Sequence, residues 1–202
     1  MTSRWPSSDT VVPMADEPIR TLFERIAAPA AAATPDLGAI GAALVDLATD
    51  HDYMRRWIDR LAEPGGLAIH APSRGPRLML VHRPRDGMSA AHDHGTWVAL
   101  APITGIETHR RYRRSEEPAQ GRLELVERLD LGPPEVVTLL PPDDIHDHGH
   151  LGGDGPSAYV LIMTGDDQNR FTRHEWDVTT GRHRVLVPGE RGRWLASEPM
   201  PD

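Results

Sequence analysis

The chain contains no cysteine. That excludes a disulfide scaffold, a thiolate metal ligand and a cysteine nucleophile together, so a metal bound by this protein must rely on His, Asp or Glu. No apolar run approaches the ~20 residues that a membrane-spanning helix needs. The leading stretch MTSRWPSSDTVVPMADEP lacks the apolar centre of a secretory signal. Positive charge is short as well: 22 Lys and Arg stand against 30 Asp and Glu, a formal net charge of -8. A general affinity for nucleic acid or for anionic membrane is therefore not expected, and the cytoplasm is the expected location.

The 202 residues, 39% hydrophobic and 26% charged, suffice for one domain with a sizeable core, or for a small domain plus a helical appendage. Residues 1–15 read as a flexible lead. A helical segment is expected over 16–64, in three amphipathic pieces. Ile19, Leu22, Phe23 and Ile26 stripe the first, Leu37, Ile40, Leu44 and Leu47 the second, and Met54, Trp57, Ile58 and Leu61 the third. AAPAAAATPD reads as a break between the first two, with Thr34 and Pro35 suited to open the second. EPGG at 63–66 closes the helical part. From Leu67 the texture changes to short apolar stretches between turn signals: GLAIHA, PRLMLVHR, TWVALAPITG, GRLELVERLDL, EVVTLLPPDDIH, SAYVLIMTG, RHEWDV and RHRVLV. This spacing predicts an all-β sandwich or barrel over 65–188, and without long helical patterns between the strands a parallel α/β sheet is not expected. Residues 189–202 read as a loosely ordered tail, with Trp194 a candidate to tuck back onto the barrel.

Of the 11 histidines, several fall in two short runs, HDHGTW at 92–97 and DDIHDHGH at 143–150. Alternate strand residues share a face, so His92 and His94 point one way and Asp93 the other. His146 opens a short strand after an apolar one, and side-by-side pairing in a rolled sheet would converge three imidazoles in the interior. Such a set keeps the full charge of a divalent ion and leaves positions open, which suits catalysis on an anionic ligand better than a structural role. The positions where a carboxylate ligand often follows the second histidine hold Val98 and Ala99; Asp93, Glu107, Asp143 and Asp144 are spaced less favourably. Nitrogen-rich ligation suits Fe, Zn, Cu or Ni.

Taken together, HDHGTW, GIETHRRY and PPDDIH resemble the thiol dioxygenases of the cupin superfamily, the group of cysteine dioxygenase and the bacterial 3-mercaptopropionate dioxygenases, over roughly residues 78–182. The resemblance implies a mainly β fold, a cupin double-stranded β-helix barrel preceded here by short N-terminal α-helices. It also implies Fe(II) held by three histidines, matched by His92, His94 and His146, and conversion of a small carboxylated thiol and dioxygen to a sulfinate. With Gly165 and Asp177 as anchors, the arginine that pairs with the substrate carboxylate falls at Arg173, a group suited to bidentate carboxylate recognition. The Ser–His–Tyr relay often found in that family is replaced by Val160, Ile162 and Thr164, with Tyr159 the nearby candidate to substitute. His150 stands where the family often has Asn, and could orient a ligand histidine or meet bound oxygen. His148 could compete with His146 for the metal.

The expected partners are thus a small thiol and dioxygen, with no nucleic acid and no membrane, in a monomer or homodimer. Two other classes fit the same histidines: a three-His cupin performing C–C cleavage, a lyase or an isomerase step, and a non-catalytic metal- or ligand-binding barrel. Other residues are expected to lie outside the chemistry. His109 in ETHRRYRR reads as solvent-facing, Tyr112 as a packing residue, and HRPRDG, with Arg83 and Arg85, as a solvated hairpin.

Overall fold

The computed structural model describes residues 16–61, 65–84, 87–115, 123–150 and 157–188. The lead at 1–15, the tail at 189–202 with Trp194, and Arg85 lie outside the described residues. Three helices come first: α1 (Glu17–Ala31), α2 (Leu37–Ala48) and α3 (His51–Ile58). The apolar stripes are the buried faces, with Ile19, Leu22 and Ile26 on α1, Ile40, Leu44 and Leu47 on α2, and Met54 and Trp57 on α3. Two local expectations are corrected. First, α1 continues through Pro29 to Ala31: Pro29 leaves the Arg25 carbonyl without its helical donor, and the helix runs only two residues further. Second, α2 is capped by Asp36, whose carboxylate accepts from the Ala39 amide at 3.0 Å, rather than by Thr34. None of these helices is long and apolar enough to cross a membrane.

The strands are β1 (Gly65–His70), β2 (Arg77–Arg83), β3 (Gly87–Met88), β4 (Ala91–His92), β5 (Val98–Thr104), β6 (Glu107–Arg114), β7 (Leu123–Leu131), β8 (Val137–Leu139), β9 (His146–His150), β10 (Ala158–Thr164), β11 (Arg173–Trp176) and β12 (His183–Leu186). A five-stranded sheet runs β1-β2-β10-β5-β8, and a seven-stranded sheet runs β12-β11-β4-β9-β6-β7, with β3 paired to β9. Without the additions β1, β3, β11 and β12, eight strands remain. Counted along the chain, one sheet takes the first, eighth, third and sixth, and the other the second, seventh, fourth and fifth. Alternation between two antiparallel sheets in this order is the eight-stranded jelly roll. The fold is therefore the mainly β, cupin-type double-stranded β-helix, with helices ahead of it.

The period of two along each strand sorts the side chains into layers. On the first sheet, Leu78, Leu80, Trp97, Ala99, Ala101, Ile103, Leu161 and Met163 form one core with the three helices. The opposite face carries Val81, Val98, Leu100, Val137, Leu139, Val160 and Ile162, which meet Leu131 and Leu129 of the second sheet inside the barrel. The helical layer thus covers the outer face of the first sheet. Beyond Leu129 and Leu131, the inner face of the second sheet carries mainly polar groups.

Candidate metal centre

Those polar groups are mostly imidazoles. β4 and β9 are antiparallel neighbours with His92 opposite His146. β4 ends at His92, and His94 follows in the connection to the other sheet. Gly95 makes the bend there at φ +70, where a Cβ would lie 2.5 Å from Phe171 and an L side chain would be strained. Trp97 then buries itself in the helix-facing core. Before that bend the Asp93 amide still donates to the His174 carbonyl, so the chain stays extended past His92 and the His94 ring falls on the same face as the His92 ring. Ring centroids are 4.8 Å apart for His92–His94 and His92–His146, and 4.9 Å for His94–His146. One ring nitrogen from each of the three lies within 4.8 Å of the others.

The hydrogen bonds around this trio assign its protons. Nδ1 of His92 donates to the Ala90 carbonyl at 2.9 Å. Asp144, buried, accepts from the His94 amide at 2.7 Å and from His94 Nδ1 at 3.3 Å. Nδ1 of His146 lies 3.3 Å from Nδ1 of His109, while its Nε2 is buried with no hydrogen-bond partner among the described residues. A carboxylate or carbonyl on one ring nitrogen fixes the tautomer and leaves the other for a metal. Burial, reinforced by the neighbouring imidazoles, holds both His92 and His146 well below the usual histidine range. Both are therefore neutral imidazoles at physiological pH, the form in which a ring nitrogen can hold a metal. An orphaned buried nitrogen costs on the order of 1–3 kcal/mol, which a cation among the three rings would offset. The donor set fits a divalent ion of borderline softness.

A second group of three, Glu107, His109 and His148, has ligand-capable atoms equally close together. Its atoms are already engaged. Glu107 Oε2 accepts from His109 Nε2 at 3.0 Å, and its Oε1 accepts from Arg83 Nε and from His148 Nδ1, each at 2.9 Å. Burial would raise the Glu107 carboxyl, but the bonds from His109 and His148 and the Arg83 charge together hold it well below the usual range. Burial and the Arg83 guanidinium push His148 down to about 3. Either group could hold a metal on donor type alone, but only the three-His group presents a buried nitrogen with nothing opposite it.

Several placements differ from expectation. His109 is fully buried: ETHRRYRR is the strand β6, whose alternate residues Glu107 and His109 face inward opposite β9, with His109 against His148. Arg83 is an ion-pair partner inside the barrel end rather than a solvated hairpin residue, with its side chain 20% exposed. Asp144 orients a histidine. The signal for β6 was available in the two-residue spacing of Glu107 and His109; what the spacing did not reveal was which strand would lie beside it. Tyr112 is buried and donates to Asp147 at 2.9 Å, on the face away from the histidines. Asp93, as expected, points away from them too, accepting from the His174 amide at 2.6 Å.

The remaining site candidates divide in the same way. Arg173 lies two residues before Glu175, which is paired with His92 across β11 and β4, so its side chain shares the face of His92. It is 8% exposed, holds Gln168 Oε1 at 3.1 Å, and keeps a buried Nε without a partner among the described residues; its charge is among the influences that lower His92. His150 is buried on β9, on the same face as His146 and His148. Tyr159 is not brought to the cluster. It stacks on His82, centroids 4.7 Å apart, because the odd-numbered residues of β10 face the helical layer. The inward β10 residues at the positions of the missing relay, Val160 and Ile162, are aliphatic core.

No protein-family model matches the sequence, and no curated protein matches it. Among solved structures, the chain is similar to the DMSP lyase DddQ from Ruegeria pomeroyi DSS-3, at 14% identity over 54% of this chain and 50% of that one, with a TM-score of 0.38. It is also similar to a cupin superfamily protein from Desulfitobacterium hafniense DCB-2, at 15% identity over 52% of this chain and 80% of that one, TM-score 0.39. A third is an RmlC-like cupin with a double-stranded β-helix fold from Methanocaldococcus jannaschii, at 10% identity over 53% and 85%, TM-score 0.38. The chain thus spans half the length of the DMSP lyase it matches, and two of these three neighbours are described as cupins.

Proposed function

We propose that this protein is a cytoplasmic, non-heme Fe(II)-dependent dioxygenase that oxidises a small carboxylated thiol to its sulfinate, with His92, His94 and His146 as the iron ligands. The observation that carries the metal is the buried, unpartnered Nε2 of His146 within 4.9 Å, ring to ring, of His92 and His94. Iron held there would supply the open coordination positions and the dioxygen chemistry that thiol oxidation requires. The chain's own groups do the rest. Arg173 receives the substrate carboxylate: its buried side chain lies on the His92 face of the sheet, its Nε has no partner among the described residues, and an incompletely paired buried cation is stabilised by an incoming anion. Asp144 and the Ala90 carbonyl hold the His94 and His92 rings in the tautomer that presents a lone pair. His150 is the polar group further along the His146 face. The aliphatic Val160 and Ile162 face the interior from the opposite sheet, so proton handling falls to the histidines instead of a tyrosine relay.

The test is elemental analysis of protein purified without added metal, followed by dioxygen uptake with cysteine, 3-mercaptopropionate and an uncarboxylated thiol. The expected outcome is about one iron per chain, thiol-dependent uptake confined to carboxylated thiols, and loss of both metal and uptake in His92→Ala. Zinc or nickel at full occupancy with no uptake would replace this reading with a lyase or isomerase. Absence of any metal, together with thermal stabilisation by small ligands, would replace it with a binding module.

A further inference from the structure

Resting on the assignment of His146 as a metal ligand, we propose that Glu107 and His109 form a buried positioning relay that sets the ring orientation and donor strength of His146, with Arg83 anchoring Glu107. The residues form one chain across β2, β6 and β9. Arg83 Nε donates to Glu107 Oε1 at 2.9 Å, His109 Nε2 donates to Glu107 Oε2 at 3.0 Å, and the two Nδ1 atoms of His109 and His146 meet at 3.3 Å. A single placement of protons satisfies every link. The ionised carboxylate requires the proton of His109 on Nε2. That leaves a lone pair on His109 Nδ1, which requires the proton of His146 on Nδ1 and leaves the His146 lone pair on Nε2, the buried atom with no partner. The carboxylate thus dictates, two rings away, which nitrogen of His146 faces the site. By polarising both rings it also makes that nitrogen a stronger donor.

The arrangement is set by the sheet. His109 is opposite His148 in the β6–β9 register, so His146 is its diagonal neighbour, within reach of a ring side chain. Glu107, His109 and His146 are each 0% exposed, so water does not compete for the links. A second cation held by Glu107, His109 and His148 is the rival use of the same atoms. It is disfavoured because Arg83 already brings its positive charge to Glu107 Oε1 and lies 2.7 Å from His148 Nδ1.

The experiment is Co(II) binding to the full-length protein, read by titration and by the visible ligand-field absorption. Wild type and His146→Ala come first. If wild type shows no Co(II) site that His146→Ala removes, the metal assignment falls and the relay with it. If it does, a cycle of Glu107→Gln, His109→Phe and the double variant follows. The relay predicts that each single change weakens Co(II) about ten- to a hundredfold and shifts the absorption. It also predicts that Glu107→Gln adds no further loss in the His109→Phe background. Multiplicative losses in the double variant would show that Glu107 acts only by its charge through space, and unchanged binding in both singles would show that the chain only packs; either overturns the relay. Should His109→Phe not fold, His109→Asn replaces it, because it breaks the link to Glu107 while keeping a polar group in the buried position, and the same non-additivity is required.

Discussion

Acidification of the metal-free protein should destabilise it well above the range in which carboxylates titrate, and His148 sets the size of the effect. Its pKa is held at about 3 in the fold against 6.5 for an ordinary histidine. Below pH 6.5 the unfolded chain therefore takes up a proton that the folded chain refuses. A group lowered in this way contributes stability that is fully present above its unfolded pKa and is lost as the pH falls, down to the folded value. From pH 7.5 to 5 the loss from this one residue is about 2 kcal/mol, or about 4–8 °C in the thermal midpoint of a chain of this size. His92 and His146 are shifted in the same direction by burial and steepen the decline. Glu107 is held below the carboxylate range, so its contribution is lost only below about pH 4.5 and does not enter this window. The assay is thermal unfolding of chelator-treated protein at pH 7.5 and 5.0, in wild type and in His148→Gln, whose amide retains a donor for Glu107. The variant should lose about 2 kcal/mol less than wild type between the two pH values. Parallel curves would refute the claim that His148 is buried as a neutral imidazole.

Asp144→Asn should weaken metal binding about tenfold or more without unfolding the protein, measured by Co(II) titration, because Asp144 holds His94 through both its ring and its amide. Arg173→Gln should raise KM for carboxylated thiols about tenfold or more while metal content stays the same; an unchanged KM would show that another group receives the carboxylate. Leu161→Ala, in the central strand of the first sheet and 0% exposed, should cost about 3 kcal/mol in urea unfolding, since its neighbours in the helix-facing core cannot close the cavity fully.

What could be read from the sequence were the features that depend on a few neighbouring residues. The three helical stripes, the short strands after Leu67 and the alternation in HDH and IHDHGH each repeat within one turn or one pleat, so the face that each residue shares with its neighbours follows from local geometry. The absence of cysteine left His, Asp and Glu as the metal-ligating side chains, and the two histidine runs do meet. Tertiary structure decided which layer each of those faces meets and which strand lies beside which. Tyr159 and Val160 are adjacent in sequence, yet one faces the helical layer and the other the barrel interior. His109 sits in a run of arginines that reads as solvated, and pairing of β6 with β9 buries it against His146. Arg83 and Glu107, 24 residues apart, become partners because β2 and β6 approach each other from different sheets. Cross-strand register and the packing of one sheet on another are long-range pairings, settled by burying the whole apolar surface at once, and no local pattern in the sequence encodes them.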